Sequence, residues 1–347
     1  MAKNQTEDSR KFAFKKRSKI HTGFNLIEAL DLFIAEKKLE RRSDKTIKSY
    51  TQVLGKFCEW FADSKYNELN EEAIREYVRY MTFDKVKWDD HPTNHSTQKG
   101  VSARSINNII RVLRVFFNFL INRRYISTNP AEGVKFQTEA NDTFEVFTDD
   151  DVVRLLSAPN IKTFIGFRDY VMMLILIDTG LRIGELTSLR IKDVDFTLRQ
   201  ITIRGETNKS NRTRILPLSK KTVEEIKSLA DYINVELDDY LFLTSFGERY
   251  NADTFAKMLK KYAKKVEVTD VRVSPHTFRH YFAIKYLRSG GNSFSLMKIL
   301  GHTDISMTQR YVKYAETDVK ENHQVASPVA NLFEESKLKK RRARLYK

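Results

Sequence analysis

The sequence predicts a mainly α chain with one small β-sheet, built as two domains: an all-α unit of four helices, then an α+β unit. Three observations carry this. The 347 residues are enough for two ordinary domains, and with 41% hydrophobic and 12% aromatic residues each can bury a core. Apolar residues recur at three- and four-residue spacing through most of the chain. That helical rhythm is interrupted once, by the alternating runs Gln200–Arg204 and Arg212–Pro217 around the polar Gly205–Asn211, the pattern of a hairpin or small sheet.

Residues 1–24 are polar and basic, with Arg10, Lys11, Lys15, Lys16, Arg17 and Lys19, and read as a flexible arm. The first domain is placed at 25–132. Its helices carry Leu26, Leu30, Phe33 and Ile34; then Ile47, Tyr50, Val53, Leu54 and Phe57 behind a cap at Ser43; then Ile74, Tyr77, Val78 and Met81 behind a cap at Asn70. The polar stretch 84–101, with Pro92 and Gly100, reads as a long loop. A fourth helix from about Ser102 carries Ile106, Ile109, Ile110, Leu113, Phe116, Phe117 and Leu120, and Asn129-Pro130 closes the block because the residue before proline is pushed out of the helical region.

Residues 133–146 lack periodicity and read as a linker. Thr148 and Asp151 then form a capping box that opens a second domain at 147–326. After the hairpin, helices resume from about Lys221 and Thr254. The latter has Phe255, Met258, Leu259, Tyr262 and Val266 on one face, while Lys257, Lys260, Lys261, Lys264 and Lys265 read as its solvated side. The segment 327–347 is a basic tail, with seven Lys or Arg among its last eleven residues.

Lys and Arg outnumber Asp and Glu by 61 to 45, a formal net charge of +16 that points to a polyanionic partner, nucleic acid or an anionic membrane. The longest apolar run, Val171–Ile177, is far short of the ~20 residues a membrane span needs, and no apolar signal segment opens the chain. One cysteine, Cys58, excludes an internal disulfide framework and a multi-cysteine zinc site. Set among aromatics at helical spacing, it reads as a packed core thiol in a cytoplasmic protein.

Four stretches of the second domain carry chemistry. In Thr179-Gly-Leu-Arg-Ile-Gly-Glu-Leu186 an apolar helix stops at a glycine and an arginine follows, placed to aim a rigid fork at a phosphate or to pair with Glu185. In Pro275-His-Thr-Phe-Arg-His280 a proline suited to a helix start precedes His276 and Arg279 on one face, where the helix N-terminus also favours an anion. A metal-binding alternative, His276 with His280 at i, i+4, lacks a nearby third ligand and a zinc-protease glutamate. In Leu300-Gly-His302 a glycine breaks a helix, and Tyr311 follows nine residues after the histidine. Lys209 stands at the tip of the expected hairpin. Taken singly, each has a bland reading: a surface ion pair, a half-buried tyrosine, a solvated lysine.

In this order and spacing the four stretches resemble the tyrosine recombinase, or phage integrase, family. Its pattern is an arginine in Gly-Leu-Arg-x-x-Glu-Leu, a hairpin lysine, His-x-x-Arg, Leu-Gly-His and a tyrosine nine residues on. The resemblance is close over the second domain and extends to the first through its four helices and the Asn-Pro exit. It implies a two-domain clamp around double-stranded DNA and cleavage through a 3′-phosphotyrosyl link, without metal or other cofactor and without ATP. Tyr311 would be the nucleophile. Arg182 and Arg279 would hold the non-bridging oxygens, and His302 would donate a further hydrogen bond. His276 would assist deprotonation of Tyr311, Lys209 would protonate the leaving 5′-oxygen, and Glu185 would orient Arg182. The chemistry agrees: a phenol of pKa ~10 is ionised about one part in a thousand at pH 7, a deficit of roughly 4 kcal/mol that a base or local positive charge must supply.

The resemblance further implies self-association into a tetramer on paired sites, with the C-terminal segment docking on a neighbouring protomer, and leaves room for an accessory DNA-bending protein. Lys45 and Lys48, then Arg104 and Arg111, lie on the two helices expected near the major groove, with surface salt bridges as an equal alternative. The basic ends and the 84–101 stretch favour integration and excision of a mobile element over chromosome-dimer resolution. The related type IB topoisomerases usually carry lysine where this chain has His276. A DNA-binding protein without catalysis would not need the six matched positions.

Overall fold

The computed structural model describes residues 25–66, 68–87, 97–139, 145–205, 212–233, 236–315, 327 and 329. The arm 1–24, Lys209 at the hairpin tip and nearly all of the tail therefore lie outside the described residues. The chain divides into two compact units, 1–142 and 143–347.

The first unit holds four helices: α1 (Leu26–Leu39), α2 (Asp44–Trp60), α3 (Glu71–Phe83) and α4 (Ala103–Asn122). Each starts at a short polar residue whose side chain accepts a backbone N–H that the first turn would leave unpaired: Asn25, Ser43, Asn70 and Ser102. Helix α4 is the hub and packs against the other three. Its Phe116 and Phe117 are fully buried with Phe33, Phe57 and Tyr77, and the rings meet edge to face, Phe33 with Phe116 at 5.5 Å and Phe57 with Tyr77 at 5.2 Å. Cys58 belongs to this core, and burial pushes its thiol up to about 12.

Parts of two stretches read as irregular are paired. Val86 and Lys99 form an antiparallel bridge at the base of the 84–101 stretch. The first half of the expected linker is bound to α4. Arg114 donates to the carbonyls of Ala131, Glu132 and Val134, and Asn107 exchanges hydrogen bonds with Gln137. Val134 is buried in the first core. Side chains of α4 thus satisfy a backbone that has no periodicity of its own.

The second unit runs α5 (Asp149–Ser157), α6 (Phe164–Thr179), the short α7 (Ile183–Leu186), strands β1 (Val194–Asp195), β2 (Gln200–Ile203) and β3 (Arg214–Pro217), then α8 (Lys220–Ile233), α9 (Ala252–Lys265), α10 (Pro275–Arg288), α11 (Ser293–Leu300) and α12 (Ile305–Ala315). The Thr148–Asp151 capping box opens α5. The sheet is antiparallel in the order β1-β2-β3, with Ile201 opposite Leu216 and Ile203 opposite Arg214. The apolar α6 packs against α10, and α10 also carries α11 and α12. Among the described residues no helix is long and apolar enough to cross a membrane.

Candidate active site

Two glycines set the site. Helix α6 ends at Gly180 in the left-handed region, φ +61°, and α11 ends the same way at Gly301, φ +66°. Each ends a helix abruptly and delivers the residue that follows close behind, Arg182 two positions after the first and His302 directly after the second. Space is equally restrictive: a Cβ on Gly180 would lie 2.4 Å from Phe282, and one on Gly301 would lie 3.0 Å from the Arg214 guanidinium.

Arg279 comes from the first turns of α10, which Ser274 caps and Pro275 begins. It is 4% exposed. Its guanidinium donates to the carbonyls of Gly180 and Leu300, both at 2.8 Å, and lies 2.9 Å from Nε2 of His302. The ends of α6 and α11 thus converge on one arginine. Burial, then the charge of Arg182, draws Arg279 down to about 10, so it remains cationic at neutral pH. Arg182 donates to Leu300 O and to Glu185 Oε1 at 3.3 and 3.2 Å, and its side chain is 26% exposed, open to an incoming group.

Glu185, buried on α7, is shared. Arg214 reaches it from β3 with two hydrogen bonds, 3.2 Å to Oε1 and 2.7 Å to Oε2, and also donates to Ile299 O at 2.9 Å. Burial alone would raise the Glu185 carboxyl. The hydrogen bonds and charge of Arg214, followed by Arg182, outweigh it and hold the group below the usual carboxylate range. Arg214 is thus part of the site, although the sequence marks it only as one of several arginines around the hairpin.

His302 is buried between Arg279 and Thr308, whose hydroxyl lies 2.9 Å from Nδ1. Burial first, then the charges of Arg279, Arg182 and Arg214, draws the imidazole down to about 4. It is neutral at pH 7.

Tyr311, on α12, is 5% exposed and stacks on His302 with ring centroids 6.2 Å apart. Its hydroxyl lies 2.9 Å from Nδ1 of His280 and takes a hydrogen bond from Arg279. Burial raises its pKa, and the Arg279 charge and hydrogen bond offset part of that rise. His276, expected beside the tyrosine, is exposed in the first turn of α10, and the histidine bonded to the phenol is the next one along the same face, His280. The sequence pairs these two at i, i+4 but does not say which meets α12. Among the described residues no group of three or more His, Cys, Asp or Glu could hold a metal ion.

The structure therefore gathers Arg182, Arg279, His302 and Tyr311, with Glu185 behind them. Two guanidiniums beside a phenolic oxygen suit a tetrahedral oxyanion. In the first unit, Lys45 and Lys48 are exposed on α2. Arg104 and Arg111 line a groove on α4 with Ser49, Gln52 and Lys56 of α2. Arg104 also pairs with Glu139 at 3.4 Å, and Arg111 lies 5.3 Å from the centre of the Phe136 ring.

Known proteins align with both units. The phage integrase SAM-like domain matches residues 25–138 and the phage integrase family matches 145–317. The chain is 32% identical over 275 residues to a protein named tyrosine recombinase XerD from Listeria monocytogenes serotype 4b, covering 75% of this chain and 91% of that one. A protein of the same name from serovar 1/2a is 31% identical over 308 residues, covering 87% and 97%. In structure the chain is similar to the Tn1549 transposon integrase in complex with a circular intermediate DNA, TM-score 0.66 at 20% identity, covering 83% of this chain and 95% of that one. A lambda integrase tetramer bound to a Holliday junction gives TM-score 0.66 at 15% identity, covering 84% and 78%. At those identities the structural likeness is one of fold.

Proposed function

The chain belongs to the tyrosine recombinase family and is a site-specific DNA recombinase, an enzyme that cuts and rejoins DNA, and from that premise we propose that it integrates and excises a mobile element, with Tyr311 as its nucleophile. The observation that carries the assignment of Tyr311 is its hydroxyl, bonded to an imidazole and to Arg279 in a pocket of positive charge.

In this reading the scissile phosphate enters between Arg182 and Arg279, displacing none of the carbonyl bonds that hold the Arg279 fork. The two guanidiniums neutralise the extra charge of the five-coordinate transition state, and His302 adds a hydrogen bond to the same oxygens. Glu185, fixed by Arg214, keeps Arg182 in line. His276 is exposed on the turn that begins α10. Lys209 gives the leaving 5′-oxygen its proton. The phosphotyrosyl link keeps the bond energy of the phosphodiester, so religation needs no ATP.

The helical domain, 25–132, and the catalytic domain, 147–326, each contact the duplex, with Lys45, Lys48, Arg104 and Arg111 on the first. As in the lambda integrase tetramer bound to a Holliday junction, the chain assembles as a tetramer, on paired sites; its tail 327–347 docks on a neighbour, and an accessory DNA-bending protein assists. The enzyme works in the cytoplasm, on the nucleoid. The similarity to proteins named XerD favours a second reading, resolution of chromosome dimers.

Two experiments test this. Tyr311→Phe keeps DNA binding and loses the covalent DNA adduct; an adduct that persists moves the nucleophile to Tyr314 or elsewhere. Mapping the covalent junction formed on the DNA that flanks the chain's own gene separates the roles. Junctions at the ends of an excised circle support the mobile element, and a junction only at a chromosomal resolution site supports the second reading. Efficient relaxation of plasmids without any specific site would overturn both.

A further inference from the structure

We propose that His280 takes the proton from the Tyr311 hydroxyl as that oxygen attacks the phosphate. The inference rests on Tyr311 being the nucleophile and assigns the base that this nucleophile needs.

Four observations carry it. Nδ1 of His280 is 2.9 Å from Tyr311 Oη, within the reach of direct proton transfer. The two rings are 5.6 Å apart and inclined at 47°, so the contact is made by a ring nitrogen and not by stacked faces. His280 directly follows Arg279, and consecutive residues of a helix point about 100° apart. Helix α10 can therefore turn Arg279 toward the ends of α6 and α11 and present His280 to the phenol on α12. Finally, the other imidazole beside the phenol is committed elsewhere. His302 stacks on the Tyr311 ring, with Nε2 bound by Arg279 and Nδ1 by Thr308. Arg279 itself only donates. Imidazole is also the side chain suited to accept and return a proton near neutral pH.

The step balances without any further reactant. The proton of Tyr311 Oη passes to Nδ1 of His280. The oxygen's electron pair forms the bond to phosphorus, the bond from phosphorus to the 5′-oxygen breaks, and that oxygen leaves with a proton from a separate acid, assigned above to Lys209. On religation the 5′-hydroxyl gives its proton back to that acid as its oxygen attacks phosphorus, the bond from phosphorus to Tyr311 Oη breaks, and the imidazolium returns its proton to the departing phenolate.

The test uses the full chain and a nicked suicide duplex taken from the mapped junction, in two forms: one with the ordinary bridging 5′-oxygen and one with sulfur in its place, whose departure needs no proton. His280→Asn places an amide oxygen near Nδ1, which accepts a hydrogen bond but not a proton; His280→Ala removes the group. Both variants are expected to form the adduct about 100-fold or more slowly on both duplexes, with DNA affinity and thermal melting unchanged. Three results would overturn the assignment. His280→Asn could retain the rate within about threefold, which is positioning alone. The sulfur duplex could restore the variants, which places His280 with the leaving group. Or His276→Asn could carry the loss in place of His280→Asn. Tyr311→Phe run beside them separates failure of this inference from failure of the nucleophile assignment, because only the latter leaves an adduct in that variant.

Discussion

Arg279 and His302 meet at 2.9 Å, and the contact fixes where the imidazole proton lies. A guanidinium has no acceptor, so Nε2 must accept from it. The proton then sits on Nδ1 and is donated to Thr308 Oγ1, also at 2.9 Å. To donate to a phosphate oxygen, His302 must carry the proton on Nε2 instead. Thr308 is fully buried, and a hydroxyl can accept in one tautomer and donate in the other.

Thr308→Val removes that reversible partner at nearly constant volume. Adduct formation is expected to fall about 10- to 100-fold, the usual range for losing the group that orients a functional histidine, with DNA affinity unchanged. Thr308→Ser keeps the hydroxyl and should stay within about threefold of wild type. Single-turnover cleavage of a suicide duplex checks both. A loss in Thr308→Ser with Thr308→Val unaffected would show that the methyl group, not the hydroxyl, matters.

The same burial predicts a pH dependence of stability. The folded pKa of His302, about 4, lies below the ~6.5 of an exposed imidazole. Between these values the unfolded chain binds the extra proton, so folding opposes it. The contribution is complete above about pH 6.5 and is lost as the pH falls toward 4 and through it, at most about 3 kcal/mol. Urea denaturation from pH 7.5 to 4.5 should show a steeper loss for wild type than for His302→Gln. Parallel curves would place the acid sensitivity in other groups.

Glu185 is 3% exposed and faces two guanidiniums, and Arg214 is nearly as buried. Glu185→Gln leaves both arginines without their anion. A loss of about 3 kcal/mol is expected, since breaking a buried pair strands a charge, and Arg182 should loosen with it, lowering the cleavage rate. Arg214→Met in the Glu185→Gln background should cost less than Arg214→Met alone, because the pair acts as a unit. Denaturation of the two single variants and the double variant measures the coupling, and additive losses would remove Arg214 from the site.

Features set by neighbours in sequence were legible. The caps at Ser43, Asn70 and Thr148 need only a short polar residue before an apolar period, and all three accept the N–H expected; Asn25 and Ser102, which the sequence marks only as helix starts, cap α1 and α4 in the same way. Arg182 and His302 are legible because each follows a glycine that ends a helix. Features set by packing were not. Arg214 meets Glu185 across 29 residues, through a strand register and the approach of α11. The His280 contact depends on which edge of α10 meets α12. Thr308 is a polar residue in an amphipathic helix until His302 is placed beside it. The segment 133–139 has no period because its backbone is held by Arg114 and Asn107 rather than by its own turns.

Gly180 joins the two kinds of information. Its carbonyl accepts from Arg279, its φ is +61°, and an added Cβ would lie 2.4 Å from Phe282 and 2.9 Å from Leu300. Gly180→Ala therefore carries two penalties: about 1 kcal/mol for the left-handed backbone and about 1–3 kcal/mol for overpacking. Relieving the overlap shifts Phe282 on α10 or Leu300 at the end of α11, and any shift passed to those backbones displaces the guanidinium of Arg279, which is bound to Gly180 O and Leu300 O. Stability and cleavage should fall together, with the cleavage defect remaining at temperatures where the variant is folded. Gly184→Ala is the control from the same segment. It lies in α7 with nothing within 4 Å of the added Cβ, and replacing a helical glycine by alanine should be neutral or stabilising by up to about 1 kcal/mol. Chemical denaturation and single-turnover cleavage of the two variants separate the local geometry of Gly180 from a general intolerance of this segment, because only a general intolerance would make Gly184→Ala behave like Gly180→Ala.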